Sequence, residues 1–153
     1  MQTTVNVKQA FGIAGEIYDL TPYRVDSRIV AAPATFGKPA GISATGTYAN
    51  MASTTYTTFV GIFVRPKEDV SYGTSNGGPL APTMTVPAGK QVQIMSMGRV
   101  IVDKPTTEAW AENANIYVTS AGAFTTTANS NTLIGKVVVG GVQADKLAVI
   151  QLG

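Results

Sequence analysis

Hydrophobic and polar positions alternate most regularly between Lys90 and Leu152. The segments KQVQIMSMGRVIV, NANIYVTS and TLIGKVVVGGVQADKLAVIQL predict three or four strands in quick succession, because a two-residue period places apolar side chains on one face of an extended chain. In the first segment the alternation predicts Val92, Ile94, Val100 and Val102 on one face. Gln91, Gln93, Met95, Met97, Arg99 and Asp103 then take the other. The expected core is Val92, Ile94, Val100, Val102, Ile116, Val118, Val137, Val139, Val149 and Leu152.

Upstream the pattern changes. TFVGIFVRP is apolar on both faces, with Phe59, Gly61 and Phe63 on one and Val60, Ile62 and Val64 on the other, as expected for a central strand. Between Thr21 and Pro39, three prolines surround an apolar run at 28–32; proline cannot donate to a strand ladder, so one short strand between irregular connections is predicted. The Thr-rich tract 43–58 contains the good strand formers Tyr48 and Tyr56 and reads as a loop or variable hairpin. In FGIAGEIYDL, Gly12 and Gly15 mark a turn-rich entry, with Ile17 and Leu20 expected to point inward. Residues 66–87 are rich in Gly and Pro and predict a long exposed loop, closed by the turn Val86-Pro87-Ala88-Gly89. Lys104-Pro105-Thr106-Thr107 is a candidate cap for a single helical turn over Glu108 to Ala111. At the start, Val5 and Val7 alternate with Asn6 and Lys8. Residues 1–10 therefore read as an edge strand or an arm ordered on another subunit, beside the plainer reading of a frayed terminus.

These elements predict an all-β chain: a single-domain jelly-roll-like sandwich or β-barrel over residues 1–153, with long loops and an extended N-terminal arm. A domain of about 150 residues buries roughly 70% of its unfolded surface, which is enough for one core. Charged residues make up 13% of the chain, against about 25% in typical domains, so few positions favour a solvated helix. The net charge of +2 is spread thinly. No basic stripe of the kind nucleic acid requires is present, and no apolar run is long enough to span a membrane. The chain is expected to be soluble where it is made, with neither nucleic acid nor membrane as partner.

Candidate chemistry is sparse. Gly73-Thr74-Ser75-Asn76-Gly77 matches the string of a nucleophile elbow, but a serine nucleophile needs a base and the chain contains no histidine. Gly-Lys pairs at Gly37, Gly89 and Gly135 lack the remaining residues of a phosphate loop. The carboxylate pairs Glu16 and Asp19, Glu68 and Asp69, and Glu108 and Glu112 read as solvated rather than as the facing acids of a glycosidase. Cysteine is absent, and no stretch has the dense oxygen ligands of a calcium loop. No catalytic residue, cofactor or metal is expected. For a protein-interaction surface the candidates are Val5, Val7 and Lys8 in the arm, Met95, Met97 and Arg99 on the polar face of the long strand, and Trp110. Met95 and Met97 suit either an adaptable contact patch or burial within the chain, with burial favoured. Trp110 reads more readily as a lid over a small core.

The order of parts resembles the cement or decoration proteins of tailed-bacteriophage heads. GIAGEIYD leads to an F-V-G-I strand, a G-R-V-x-V strand, an x-I-Y-V strand with a Gly turn, an I-G-K strand and a closing V-I-Q-L-like strand. The resemblance implies a structural virion protein, made in the bacterial cytoplasm, that binds the outside of a capsid, bridges subunits of the major capsid protein and stabilises the head. It also implies a homo-oligomer, dimer or trimer, and no enzymatic activity. The tracts at 43–58 and 66–87 depart most from the common pattern. The alternative from another class, a non-catalytic carbohydrate-binding β-sandwich displayed on a surface, would align aromatic residues on one face. Here the tyrosines are spread over nearly every segment.

Overall fold

A computed structural model describes residues 12–65 and 85–153. Among these residues there are eleven strands and no helix, so the all-β expectation holds. In chain order the strands are β1 (Arg24–Ile29), β2 (Ala34–Thr35), β3 (Pro39–Ile42), β4 (Tyr48–Asn50), β5 (Thr58–Val64), β6 (Thr85–Val86), β7 (Gln91–Asp103), β8 (Asn115–Val118), β9 (Phe124–Thr125), β10 (Thr132–Val139) and β11 (Leu147–Leu152). Eight follow the order β4-β3-β5-β7-β11-β10-β8-β9 in one sheet, β1 joins it on β7, and β2 and β6 make a separate ribbon.

The long strand β7 is the spine. Its first half pairs with both β1 and β5, and its second half pairs with β11 from Gly98 to Asp103. The chain before β1 runs on along the second half: Gly15 N donates to Ile101 O at 2.8 Å, Ile101 N to Glu16 O at 3.0 Å and Tyr18 N to Arg99 O at 3.0 Å.

Strict alternation does not survive through β7. Arg24 pairs with Met97 and Val25 with Met95, so Ser96 is one residue too many against β1. An inserted residue moves everything after it to the opposite face. Val92 and Ile94 therefore pack in one cluster with Val30, Phe36, Phe63 and Val86, while Met95, Val100 and Val102 pack in the other. The four apolar residues expected on one face are all buried, but they serve two cores. β5 repeats the device. Ala40 pairs with Gly61 and Gly41 with Phe59, so Val60 is the extra residue; Phe59 joins the core of Ile62 and Val64, and Val60 that of Phe63. Flanked by β3 and β7, β5 is the interior strand its two apolar faces predicted.

The larger core includes Met51 just after β4, Trp110, Ile116, Val118, Phe124, Val137, Ile150 and Leu152. Residues from both ends of the sheet share this cluster, which requires the sheet to curl. The closing contact is Gly122, in the β8–β9 turn at φ +76°, where a Cβ would stand 2.4 Å from Met51 O. Only glycine permits that backbone approach. The smaller core lies on the opposite face of β5 and the first half of β7, where Val86 of β6 and Ala34 of β2 join it.

Three local expectations are corrected. No helical turn forms over Glu108 to Ala111, because Trp110 N donates to Gly141 O at 2.9 Å and Gly141 N to Trp110 O at 3.1 Å, which holds the segment extended. Val139 is only half-buried, since a register shift opposite Val149 offsets the end of β10. Leu20 points outward and is 90% exposed. The 43–58 tract resolves as the hairpin turn between β3 and β4, with Ser43 N donating to Thr47 O, and the lead into β5. Residues 1–10, the nucleophile-like string at 73–77, and Glu68 and Asp69 lie outside the described residues.

Candidate interaction surface

The second half of β7 and the chain laid along it gather the clearest surface. Asp19 begins a tight turn by accepting Thr21 N at 3.0 Å and the Thr21 hydroxyl on the same oxygen, the pattern by which an Asp side chain closes a short loop. Its other oxygen accepts Arg99 Nη1 at 2.8 Å, and Arg99 Nε donates to Gln151 Oε1 at 3.3 Å. The turn is thereby tied to β7 by a side-chain pair as well as by the backbone at Tyr18. Hydrogen bonds from Thr21, first from its hydroxyl, together with the Arg99 guanidinium, outweigh desolvation and hold the Asp19 carboxyl below the usual carboxylate range. On the far side of the turn Tyr23 covers Gly98, leaving 2.6 Å between its Cβ and the place a Cβ on Gly98 would occupy.

Leu20 stands at the tip of this loop. Tyr18 and Tyr23 in the same segment and Met97 on β7 are 40%, 49% and 43% exposed. Aromatic residues, Met and Arg are the side chains enriched in protein interfaces, and part-exposed examples of each lie on β7 and the segment tied to it. Of the residues expected at an interaction surface, Met97 and the part-exposed Arg99 lie here. Met95 does not: it is fully buried in the larger core, because the extra Ser96 separates two methionines that simple alternation would place together. Val5, Val7 and Lys8 fall outside the described residues.

Trp110 is 3% exposed and lies in the larger core. Its ring meets Phe124 edge-on with centroids 6.5 Å apart, and Lys104 Nζ stands 6.0 Å from its centre. Trp110 Nε1 donates to Glu108 Oε2 at 3.0 Å, Thr126 N to the same oxygen at 3.2 Å, and the Thr125 hydroxyl to Glu108 Oε1 at 2.9 Å. Glu108 is therefore not a solvated partner of Glu112; its carboxylate locks the lid. Burial raises its pKa, but the bonds from Trp110, Thr125 and Thr126 and the Lys104 charge win and hold it below its ordinary value. Lys104, itself buried, directs its ammonium to the carbonyls of Pro105 and Glu108.

A cavity at this end of the sheet is lined by Lys38, Asp103, Lys104, Phe124 and Lys146, and Lys38 Nζ lies 3.6 Å from Asp103 Oδ2. Among the described residues no three His, Cys, Asp or Glu side chains converge. The arrangement supplies contact surface and internal bracing. Sequence reasoning missed Tyr18, Leu20 and Tyr23, although Asp19-Leu20-Thr21-Pro22 carries a turn signal that sets Leu20 at a tip.

Residues 1–153 match the model of the structural cement protein family (E217 gp24/Pam3 gp6). The chain belongs to the phage structural cement proteins. Among solved structures it is similar to a chain described as "The capsid of Myoviridae Phage XM1", with a TM-score of 0.66 at 14% identity, covering 99% of this chain and 96% of that one. At that identity the likeness is one of fold. No curated protein matches the sequence. As a cement protein the chain is a structural, virion-associated component of a phage capsid.

Proposed function

We propose that this cement protein binds the outside of the phage head, bridges neighbouring subunits of the major capsid protein and stabilises the shell, acting as one β domain in dimers or trimers. The observation that carries the reading is an apolar, braced surface around Met97 and Arg99 on a fold whose cores close without it. In this reading Val5, Val7 and Lys8 serve as an attachment arm, supported by the alternation of Val5 and Val7 with Asn6 and Lys8. A cement protein needs no chemistry. It gains stability by mass action, since a ligand that binds only the assembled shell favours that shell, and repeated weak contacts across a lattice add avidity.

The test is titration of shells stripped of cement protein with the full-length chain and with a chain lacking residues 1–10, read by co-sedimentation and electron microscopy. Full-length protein should saturate at a fixed ratio to the major capsid protein and appear as density on the outer face. The truncated chain should need at least about tenfold more protein for half-occupancy, with little change in Tm when free. Equal occupancy by both forms would sink the arm, and failure of the full-length chain to bind would sink the whole reading.

A further inference from the structure

We propose that the cavity where the ends of β3, β7 and β11 come together is an oxyanion site, built to take a phosphate or carboxylate group. It has a volume of about 410 Å³, within the range of small-ligand sites. Three of the eleven Lys and Arg residues of this thinly charged chain line it, Lys38, Lys104 and Lys146, with Asp103 as the one acid in its wall.

The sheet register forces the gathering. Leu147 pairs with Asp103, and Lys104 N donates to Lys146 O at 2.8 Å, so the antiparallel ladder of β7 and β11 runs one residue further and sets two lysines opposite each other. Like charges directly across a ladder repel, and nothing in the sheet itself calls for that pairing. Phe63 N donates to Lys38 O at 3.1 Å and so fixes the third lysine beside β5. Its ammonium lies 3.6 Å from Asp103 Oδ2, with both side chains more than 40% exposed. A solvated pair of that length contributes little and can open to a stronger acceptor.

Lys104 carries the argument furthest, because it is buried, and an ammonium removed from water needs compensation. Of its three donors, two go to the carbonyls of Pro105 and Glu108. It forms no ion pair among the described residues, and the nearby Glu108 uses both carboxylate oxygens on Trp110, Thr125 and Thr126. Lys146 is exposed and likewise without an ion pair among the described residues, while Asp145 beside it accepts Val142 N at 3.0 Å. A bound oxyanion supplies both missing parts: an acceptor for the remaining Lys104 donor and a negative charge between Lys104 and Lys146. Such charge-assisted bonds are the strong ones.

The experiment titrates the full-length chain with inorganic phosphate at constant ionic strength and follows amide resonances by NMR. Those of Lys104 and Gly122 should shift and saturate, with a midpoint of about 1–10 mM. Lys146→Ala should weaken binding at least about threefold, and Asp103→Asn, which removes the only acid from the wall, should tighten it by a similar factor. Lys90→Ala removes the same charge at the opposite end of β7 and should leave the midpoint within about twofold. The substituted side chains all reach solvent, so each variant should fold, which its melt checks. No saturable shift at the cavity, weaker binding by Asp103→Asn, or an equal loss in Lys90→Ala would overturn the site. Binding to stripped shells then separates the two sources of the group. Attachment that phosphate competes with and Lys146→Ala weakens assigns the site to a carboxylate of the shell protein; attachment indifferent to both assigns it to free phosphate. The titration of the free chain does not depend on capsid attachment, so failure of the cement reading and failure of the site are distinct results.

Discussion

Glu108 shows how far a single residue can depart from its composition-level meaning. One carboxylate receives the indole of Trp110, the hydroxyl of Thr125 and the amide of Thr126, and so joins the lid over the larger core to the strand β9 beneath it. Hydrogen bonds to a charged group contribute about 1.5–3 kcal/mol each to stability, about twice a neutral bond, and an amide in the same place keeps only neutral ones and loses the charge that faces Lys104. Glu108→Gln should therefore lower stability by about 2 kcal/mol, or roughly 6 °C in Tm for a chain of this size. The acid dependence has a definite sign. A carboxyl whose pKa is depressed by folding contributes fully above its unfolded value of about 4.3, and that contribution disappears as the pH falls through the lower folded value. Thermal melts at pH 7 and pH 3 should show a large gap between the two proteins at pH 7 and a small one at pH 3. An equal gap at both would mean that the carboxylate charge is not what the lid uses.

At the level of elements, the device that shapes this protein is the extra residue. Ser96 in β7 and Val60 in β5 each shift the strand by one position. These adjacent strands, central to the sheet, thereby turn one apolar set to the larger core and another to the smaller one. An exposed serine can be replaced freely, so Ser96→Ala should change stability by less than about 0.5 kcal/mol. Deleting Ser96 is the stricter test. With Ser96 gone, an unbroken two-residue period sets Val92 and Ile94 on one face and Met95, Val100 and Val102 on the other, as the bulge does now, so the deletion removes the extra residue and leaves each side chain on its own core. The deletion should keep a cooperative, native-like melt by circular dichroism, whereas insoluble or dye-binding molten protein would show that the bend supplied by the bulge is itself required.

For the whole molecule the decisive contact is between the two ends of the sheet. Gly122 and Met51 belong to segments far apart in sequence, and their backbones meet so closely that no side chain fits between them. Gly122→Ala should cost more than Gly46→Ala. Both glycines have a positive φ, +76° and +79°, but a Cβ at Gly46 meets nothing within 4 Å. The control should lose about 1 kcal/mol from backbone strain alone, and Gly122→Ala at least about twice that. Equal losses in denaturant unfolding would mean that the closing contact gives way easily.

What the sequence determined alone was the class and the strands. A two-residue period in KQVQIMSMGRVIV and β-branched runs in LIGKVVV and LAVIQL are local properties, and burial of Val92, Ile94, Val100, Val102, Ile116, Val118, Val137, Val149 and Leu152 follows from them. The order of Gly and apolar residues also carried the family, and the whole chain matches it. Three-dimensional structure alone decided which core each strand face serves, because a bulge appears only when one strand is laid against another. It likewise decided that Met95 and Trp110 are interior and Leu20 exterior. A side chain's solvent exposure depends on what the rest of the chain packs against it: Glu108, Phe124 and Lys104 meet Trp110, whereas Leu20 is 90% exposed.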